Sequence, residues 1–193
     1  MADFNDTLKK MGFISNKWYV GIPIPGHYDI YVEYKQKMYD DSLNNGDFER
    51  CISIVERPYR FQEFVDLMWK MTPKQRFECL RYVWTDCEEP YINIDVWKIV
   101  FEDDSIQPYL QDTLTDLPDE VVVYRGISYK GATLDTGISW TLSKRVAEKF
   151  AFRWGDKGKV ISKKVHKSDL KAYFNDRNER EVIYWGENTG EIL

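Results

Sequence analysis

One change of texture constrains this chain more than any other feature. Ahead of Pro118 the apolar residues recur at helical spacing, and beyond it they fall into short continuous runs. From Tyr59 onward, Phe61, Phe64, Val65 and Met68 stand at i, i+3, i+4 and i+7, the stripe that one face of a helix buries. Thr72-Pro73-Lys74-Gln75 reads as a capping box, with Thr as N-cap, Pro in the first turn and Gln reaching back. The helix it opens presents Phe77, Leu80 and Trp84. Ile94, Trp97 and Phe101 predict a third helix, and Leu110, Leu114 and Leu117 a short fourth. Residues 1–59 are less regular. Trp18-Tyr19-Val20 and Ile30-Tyr31-Val32 read as short strands around the Pro23/Pro25/Gly26 turns, and Asn44-Asn45-Gly46 as a later turn.

After Pro118 the reading is β. Val121-Val122-Val123-Tyr124 is an unbroken β-branched and aromatic run, the mark of a buried strand, and it ends at Arg125-Gly126. Ile138-Ser139-Trp140-Thr141 is a second, short strand. Ser143 caps a helix whose inward face is Val146, Ala147, Phe150 and Ala151, extended by Trp154. Lys159–Val165 and Val182–Trp185 are further strands, and the polar stretch Phe174 to Glu181 is a turn running into the last of them. No Pro-, Gly- or Ser-rich linker separates the halves. The expectation is a single α+β domain over 1–193, with a mixed then helical portion (1–117) packed on a β-rich portion (118–193).

Composition removes several classes. With 43% hydrophobic and 31% charged residues, the chain can build a packed core and does not resemble a disordered one. No apolar run approaches the roughly 18–20 residues of a membrane span, and the opening Met1-Ala2-Asp3-Phe4-Asn5-Asp6 lacks the layout of a signal peptide. A cytoplasmic protein without membrane partners is the expectation. Cys51, Cys79 and Cys87 form no CxxC pair, and His27 and His166 lie far apart, so neither a disulfide framework nor a metal site is expected. The net charge of −5 is divided unequally: residues 1–117 carry −8 and residues 118–193 carry +3. An acidic front half is a poor footprint for duplex nucleic acid, whereas the basic back half suits a small anion.

Three polar clusters mark strand ends in the back half. Arg125 emerges from a buried strand; its planar fork suits a pyrophosphate or a carboxylate, and Gly126 lets a ligand near the backbone. A structural ion pair with an internal carboxylate is the alternative. Ser139 and Thr141 share a face by strand alternation; they position a carboxylate, or they open a strand and cap the next helix. Glu179 and Glu181, if extended, share a face with Arg180 on the other. Two carboxylates on one cleft can divide labour, one stabilising positive charge and one deprotonating a nucleophile. A solvated strand edge of alternating charge is the plainer reading.

Taken in order, Tyr124-Arg125-Gly126, Ser139-Trp140-Thr141 with Ala147…Phe150-Ala151 after it, and Glu179-Arg180-Glu181 resemble the Arg–Ser–Glu class of mono-ADP-ribosyltransferases. That class includes arginine-modifying toxins, vertebrate ecto-transferases and small phage-encoded transferases. The resemblance covers residues 120–186. It implies a core of two small β-sheets around an NAD cleft, with NAD as substrate and no metal. It assigns Arg125 to the phosphate and ribose region, Ser139 to support of the catalytic glutamate, Glu181 to catalysis and Glu179 to the acceptor. The usual Ser-Thr-Ser is departed from at Trp140 and Thr141, which weakens what carries over to Thr141. Phe152-Arg153-Trp154-Gly155-Asp156-Lys157-Gly158 occupies the family's phosphate–nicotinamide loop position, with Arg153 for a phosphate and Trp154 for stacking on nicotinamide. Trp154 as the end of the helix's apolar face is equally open. Phe174, at the start of the turn, is a candidate for target recognition or for the core.

The function this implies is transfer of ADP-ribose from NAD to a protein, at arginine because the motif is Glu-x-Glu, with release of nicotinamide. A host protein is the implied acceptor if the chain is phage-encoded; a nucleic-acid acceptor is not favoured. Two other functions stand beside it: an NAD glycohydrolase using water as acceptor, and an inactive fold retained as a binding or inhibitor protein.

Overall fold

The computed structural model describes residues 12–86, 94–128, 137–186 and 191–192; Cys87 and part of the loop after Gly126 lie outside them. The chain is mixed α and β, with antiparallel open sheets, and it divides into two units, 1–91 and 92–193. That division falls ahead of the textural break at Pro118, because the helices just before Pro118 pack within the second unit.

The first unit opens with a two-stranded ribbon, β1 (Ile14–Asn16) and β2 (Tyr19–Gly21), followed by α1 (Tyr28–Asn44) and α2 (Phe48–Ile54). After a 3₁₀ turn at Arg57–Tyr59 come α3 (Arg60–Leu67), a second 3₁₀ turn at Met68–Lys70 and α4 (Pro73–Asp86). Ile30-Tyr31-Val32, expected as a strand, lies inside α1. Its β-branched residues mislead locally; the face turned inward is Tyr28, Val32, Lys35 and Tyr39, at helical spacing, which leaves Ile30 and Tyr34 exposed. Gly46, at φ 69°, ends that helix in the left-handed conformation glycine accepts without cost. The capping box forms as read: Thr72 N–H donates to Gln75 Oε1 at 3.0 Å, and Gln75 N–H to Thr72 Oγ1 at 3.3 Å. The fully buried face of α4 is Arg76, Cys79, Leu80 and Val83, a small rotation from the expected Phe77, Leu80 and Trp84. Glu63 is buried among these helices, where Tyr39 Oη donates to Oε1 and Lys17 Nζ reaches Oε2 at 3.1 Å. A buried carboxylate without such partners would be costly.

The second unit begins with α5 (Ile94–Phe101) and α6 (Gln107–Asp112), then β3 (Glu120–Ile127), β4 (Ser139–Thr141), α7 (Lys144–Ala151) and β5 (Lys159–His166). It closes with β6 (Ala172–Phe174), β7 (Glu181–Ile183) and β8 (Glu191–Ile192). The strands form one antiparallel sheet in the order β6-β7-β4-β3-β5-β8. Two small sheets were expected here, and the departure is instructive. β3 pairs along its whole length with β5, but it meets β4 only at Tyr124↔Thr141. The sheet is therefore two three-stranded halves joined by a single residue pair. One face buries Val121, Val123, Ile127, Trp140, Ile161, Val165 and Val182 against Leu114, Leu170 and Tyr184. The other packs Tyr124 and Val160 under Ala147 and Ala151 of α7. Phe174 packs in the core: it is 4% exposed and lies against Phe101, ring centroids 6.4 Å apart.

Candidate active site

The single-pair junction between the two halves of the sheet is where the polar residues gather. If the β3–β4 ladder continued past Tyr124↔Thr141, Arg125 would next face Trp140. The strands part instead, and the Arg125 side chain bridges them, its Nη1 donating to the Ser139 carbonyl at 2.7 Å. A charged donor on a backbone carbonyl is among the stronger hydrogen bonds a strand end can have. The guanidinium has room only because residue 137 is glycine: a Cβ there would overlap Arg125 Cζ, Nη1 and Nη2. Arg125 is 7% exposed. Buried to that degree, the guanidinium is turned onto Ser139 and braces the serine strand.

Ser139 in turn donates its Oγ hydrogen to Glu181 Oε1 on the neighbouring strand. The register explains the meeting: β4 and β7 pair antiparallel with Thr141 opposite Glu181 and Ser139 opposite Ile183, so Ser139, Thr141 and Glu181 share a face. Trp140 alternates to the opposite face. It is buried there against Tyr184 at 5.9 Å with its rings nearly perpendicular, which makes the unusual middle residue of the motif a core residue.

Thr141 is also largely buried, and its hydroxyl works at both ends. It donates to the Glu179 carbonyl at 2.6 Å and accepts from Ser143 N–H at 3.0 Å. That engagement ties the turn before β7 to the start of α7, so Thr141 braces the two. Glu179 itself is not part of an extended strand. Asn178 and Arg180 take positive φ values of 56° and 48°, so the Glu-x-Glu stretch is a turn and strict alternation does not apply. The turn is pinned by Arg180 N–H on Asn175 Oδ1 (3.0 Å), Asn178 N–H on the Asn175 carbonyl (3.0 Å) and Leu142 N–H on the Arg180 carbonyl (2.9 Å). The Glu179 carboxylate lies 3.3 Å from Arg177 Nε.

Two of the expected cofactor contacts are placed differently. The missing side chain of Gly126 makes room for a helix. A Cβ there would lie 2.6 Å from the Ala151 nitrogen and closer still to the Ala147 carbonyl oxygen, so glycine is what lets α7 lie on β3. Trp154 does not complete the apolar face of α7, which ends at Ala151; it is 53% exposed, with the Arg153 guanidinium 5.3 Å above its ring. Gly137, Asn175 and Arg177 were not legible as site residues. Gly137 serves a side chain 12 positions earlier, and the other two act only once the turn has closed.

Among the described residues no group of three or more His, Cys, Asp or Glu side chains could hold a metal ion, and no helix is long and apolar enough to cross a membrane. No protein-family model matches the chain, and neither does any curated protein or solved structure.

Proposed function

We propose that this chain is a mono-ADP-ribosyltransferase that takes NAD as substrate and moves its ADP-ribose to an arginine of a protein acceptor. The observation that carries the reading is the linked chain Arg125–Ser139–Glu181. An arginine, a serine and a glutamate from three separate strands are held together by a guanidinium on the serine carbonyl and a serine hydroxyl on the carboxylate.

The chemistry asked of these groups is modest in kind and demanding in geometry. The bond between C1′ of the ribose and the nicotinamide nitrogen breaks heterolytically; the pair leaves with nicotinamide, which departs neutral, and positive charge spreads over C1′ and the ring oxygen. A fixed carboxylate beside the ribose 2′-hydroxyl stabilises that charge without having to reorganise. Glu181 takes this role, with Ser139 fixing its orientation. Glu179 receives the acceptor guanidinium and accepts the proton it loses as nitrogen bonds to C1′. Arg125 holds the serine strand. The exposed Arg153 and Trp154 offer a cation for phosphate and a ring for nicotinamide.

The test is incubation of the protein with NAD labelled in its adenylate portion and a bacterial lysate, followed by mass spectrometry of the labelled peptides. Label on arginine side chains supports the proposal. Free ADP-ribose with no labelled protein replaces it with NAD glycohydrolysis. NAD recovered intact overturns both enzymatic readings.

A further inference from the structure

We infer that Arg177 is an internal stand-in for the acceptor arginine, resting on the carboxylate that an incoming guanidinium must occupy. The inference rests on the reading above, in which Glu179 receives the acceptor, and it adds a residue that sets how readily the acceptor is admitted.

Glu179 and Arg177 are unequally attached to the fold. The backbone around Glu179 is fixed at several points: its own carbonyl by Thr141 Oγ1, and its neighbours by Asn175 and Leu142. On that fixed backbone the Glu179 side chain is 18% exposed, whereas that of Arg177 is 47% exposed. Their contact is made through Nε at 3.3 Å, longer than the roughly 2.7–2.9 Å of a tight charge-assisted bond. Arg177 can therefore swing away without disturbing the turn that aims Glu179. A guanidinium from another molecule, approaching with its two-pronged edge, makes the better bond with the same carboxylate and displaces it. The same chemical group thus sits at the carboxylate before and after the acceptor arrives. Water, which needs no guanidinium site, meets no such competitor.

The signature is a separation of KM from kcat. With agmatine as a free guanidino acceptor, Arg177→Gln is expected to lower the KM for agmatine by about two- to fivefold, the range for losing one partly exposed ion pair. Its kcat and its NAD hydrolysis without acceptor stay at wild-type values. Arg177→Lys, which keeps the charge, restores the higher KM. In a Glu179→Gln background the Arg177→Gln change has no further effect, because the shared partner is gone. An NMR titration of the protein with agmatine in the absence of NAD provides a readout independent of turnover. Agmatine binding tightened by Arg177→Gln supports the inference even if no nicotinamide is ever released, an outcome that would overturn only the enzymatic reading. Unchanged or weaker agmatine binding in Arg177→Gln overturns the inference while leaving the enzymatic reading untouched.

Discussion

Gly126→Ala separates two accounts of a glycine that the sequence alone leaves equivalent. If the residue is small so that a ligand can approach, an added methyl costs binding and spares the fold. The structure gives it another neighbour. The new Cβ would stand 2.6 Å from the Ala151 nitrogen and nearer to the Ala147 carbonyl oxygen, with Phe150 Cβ at 3.0 Å. These are helix atoms, and two of the three are backbone, so no rotamer change relieves the overlap. Ordinary contact begins at about 3.5 Å, so α7 must lift from β3 by about 1 Å and surrender the packing of Ala147 and Ala151 on Tyr124 and Val160. Overpacking of this kind costs about 1–3 kcal/mol. In a cooperative unit of roughly 100 residues that lowers Tm by about 5–20 °C. The sign is diagnostic. Gly126 does not adopt the left-handed backbone, and at such a site alanine ordinarily stabilises by about 0.4–1 kcal/mol by restricting the unfolded chain. Scanning calorimetry on the wild type and the variant decides between them. A Tm equal to or above wild type would refute the packing argument.

Glu179→Gln is expected to lose arginine modification far more than NAD hydrolysis, since water needs less help from a base than a cationic guanidinium; assaying both reactions on the one variant checks it, and equal losses count against the role. Arg180→Gly should raise the unfolding free energy by about 0.5–1 kcal/mol, seen as a higher urea midpoint, because φ of 48° is strained for an L-residue and free for glycine; a fall in midpoint contradicts this. In the first unit, burial pushes the Cys51 thiol up to about 11 and the Cys79 thiol up to about 12, with Asp47 and Glu49 adding to the respective shifts. Burial followed by the hydrogen bond to Glu63 likewise raises the Tyr39 hydroxyl. Groups whose folded pKa lies above the unfolded one contribute their full stability below the unfolded value and lose it as pH rises through the folded one. The urea midpoint of this unit should therefore hold to about pH 9 and fall between there and about pH 12; a flat profile across that window contradicts the assignment.

Much of the second unit is legible from residue order because its signals are local. A β-branched run, a serine cap and apolar residues at helical spacing each specify their element without help from afar, and β3, β4, α7 and β5 stand where those signals place them. The pairing of Ser139 with Glu181 is legible in a weaker sense. It follows from strand alternation once the register is known, and the register is a property of the sheet. What the sequence conceals is held by distant neighbours. Gly137 matters because the Arg125 guanidinium occupies its missing side chain, and Thr141 because a turn 38 residues later rests on its hydroxyl. Arg180 matters because its positive φ breaks the alternation on which the Glu-x-Glu reading relied. In the first unit the error at Ile30-Tyr31-Val32 has the opposite origin. A local β preference is overridden by a helical face on which Tyr39 is buried and Tyr28, Val32 and Lys35 are half-buried.

The central claim is that Glu181, oriented by Ser139, stabilises the charge that forms when nicotinamide leaves. Glu181→Gln tests it most directly, because the amide oxygen can still accept from Ser139 Oγ while the negative charge is removed. With both proteins shown to unfold at the same temperature, nicotinamide release from NAD is measured by chromatography. The account predicts release by the wild type and a loss of about 10²–10³-fold in the variant. Release by Glu181→Gln at the wild-type rate, or no release by either protein, would contradict it.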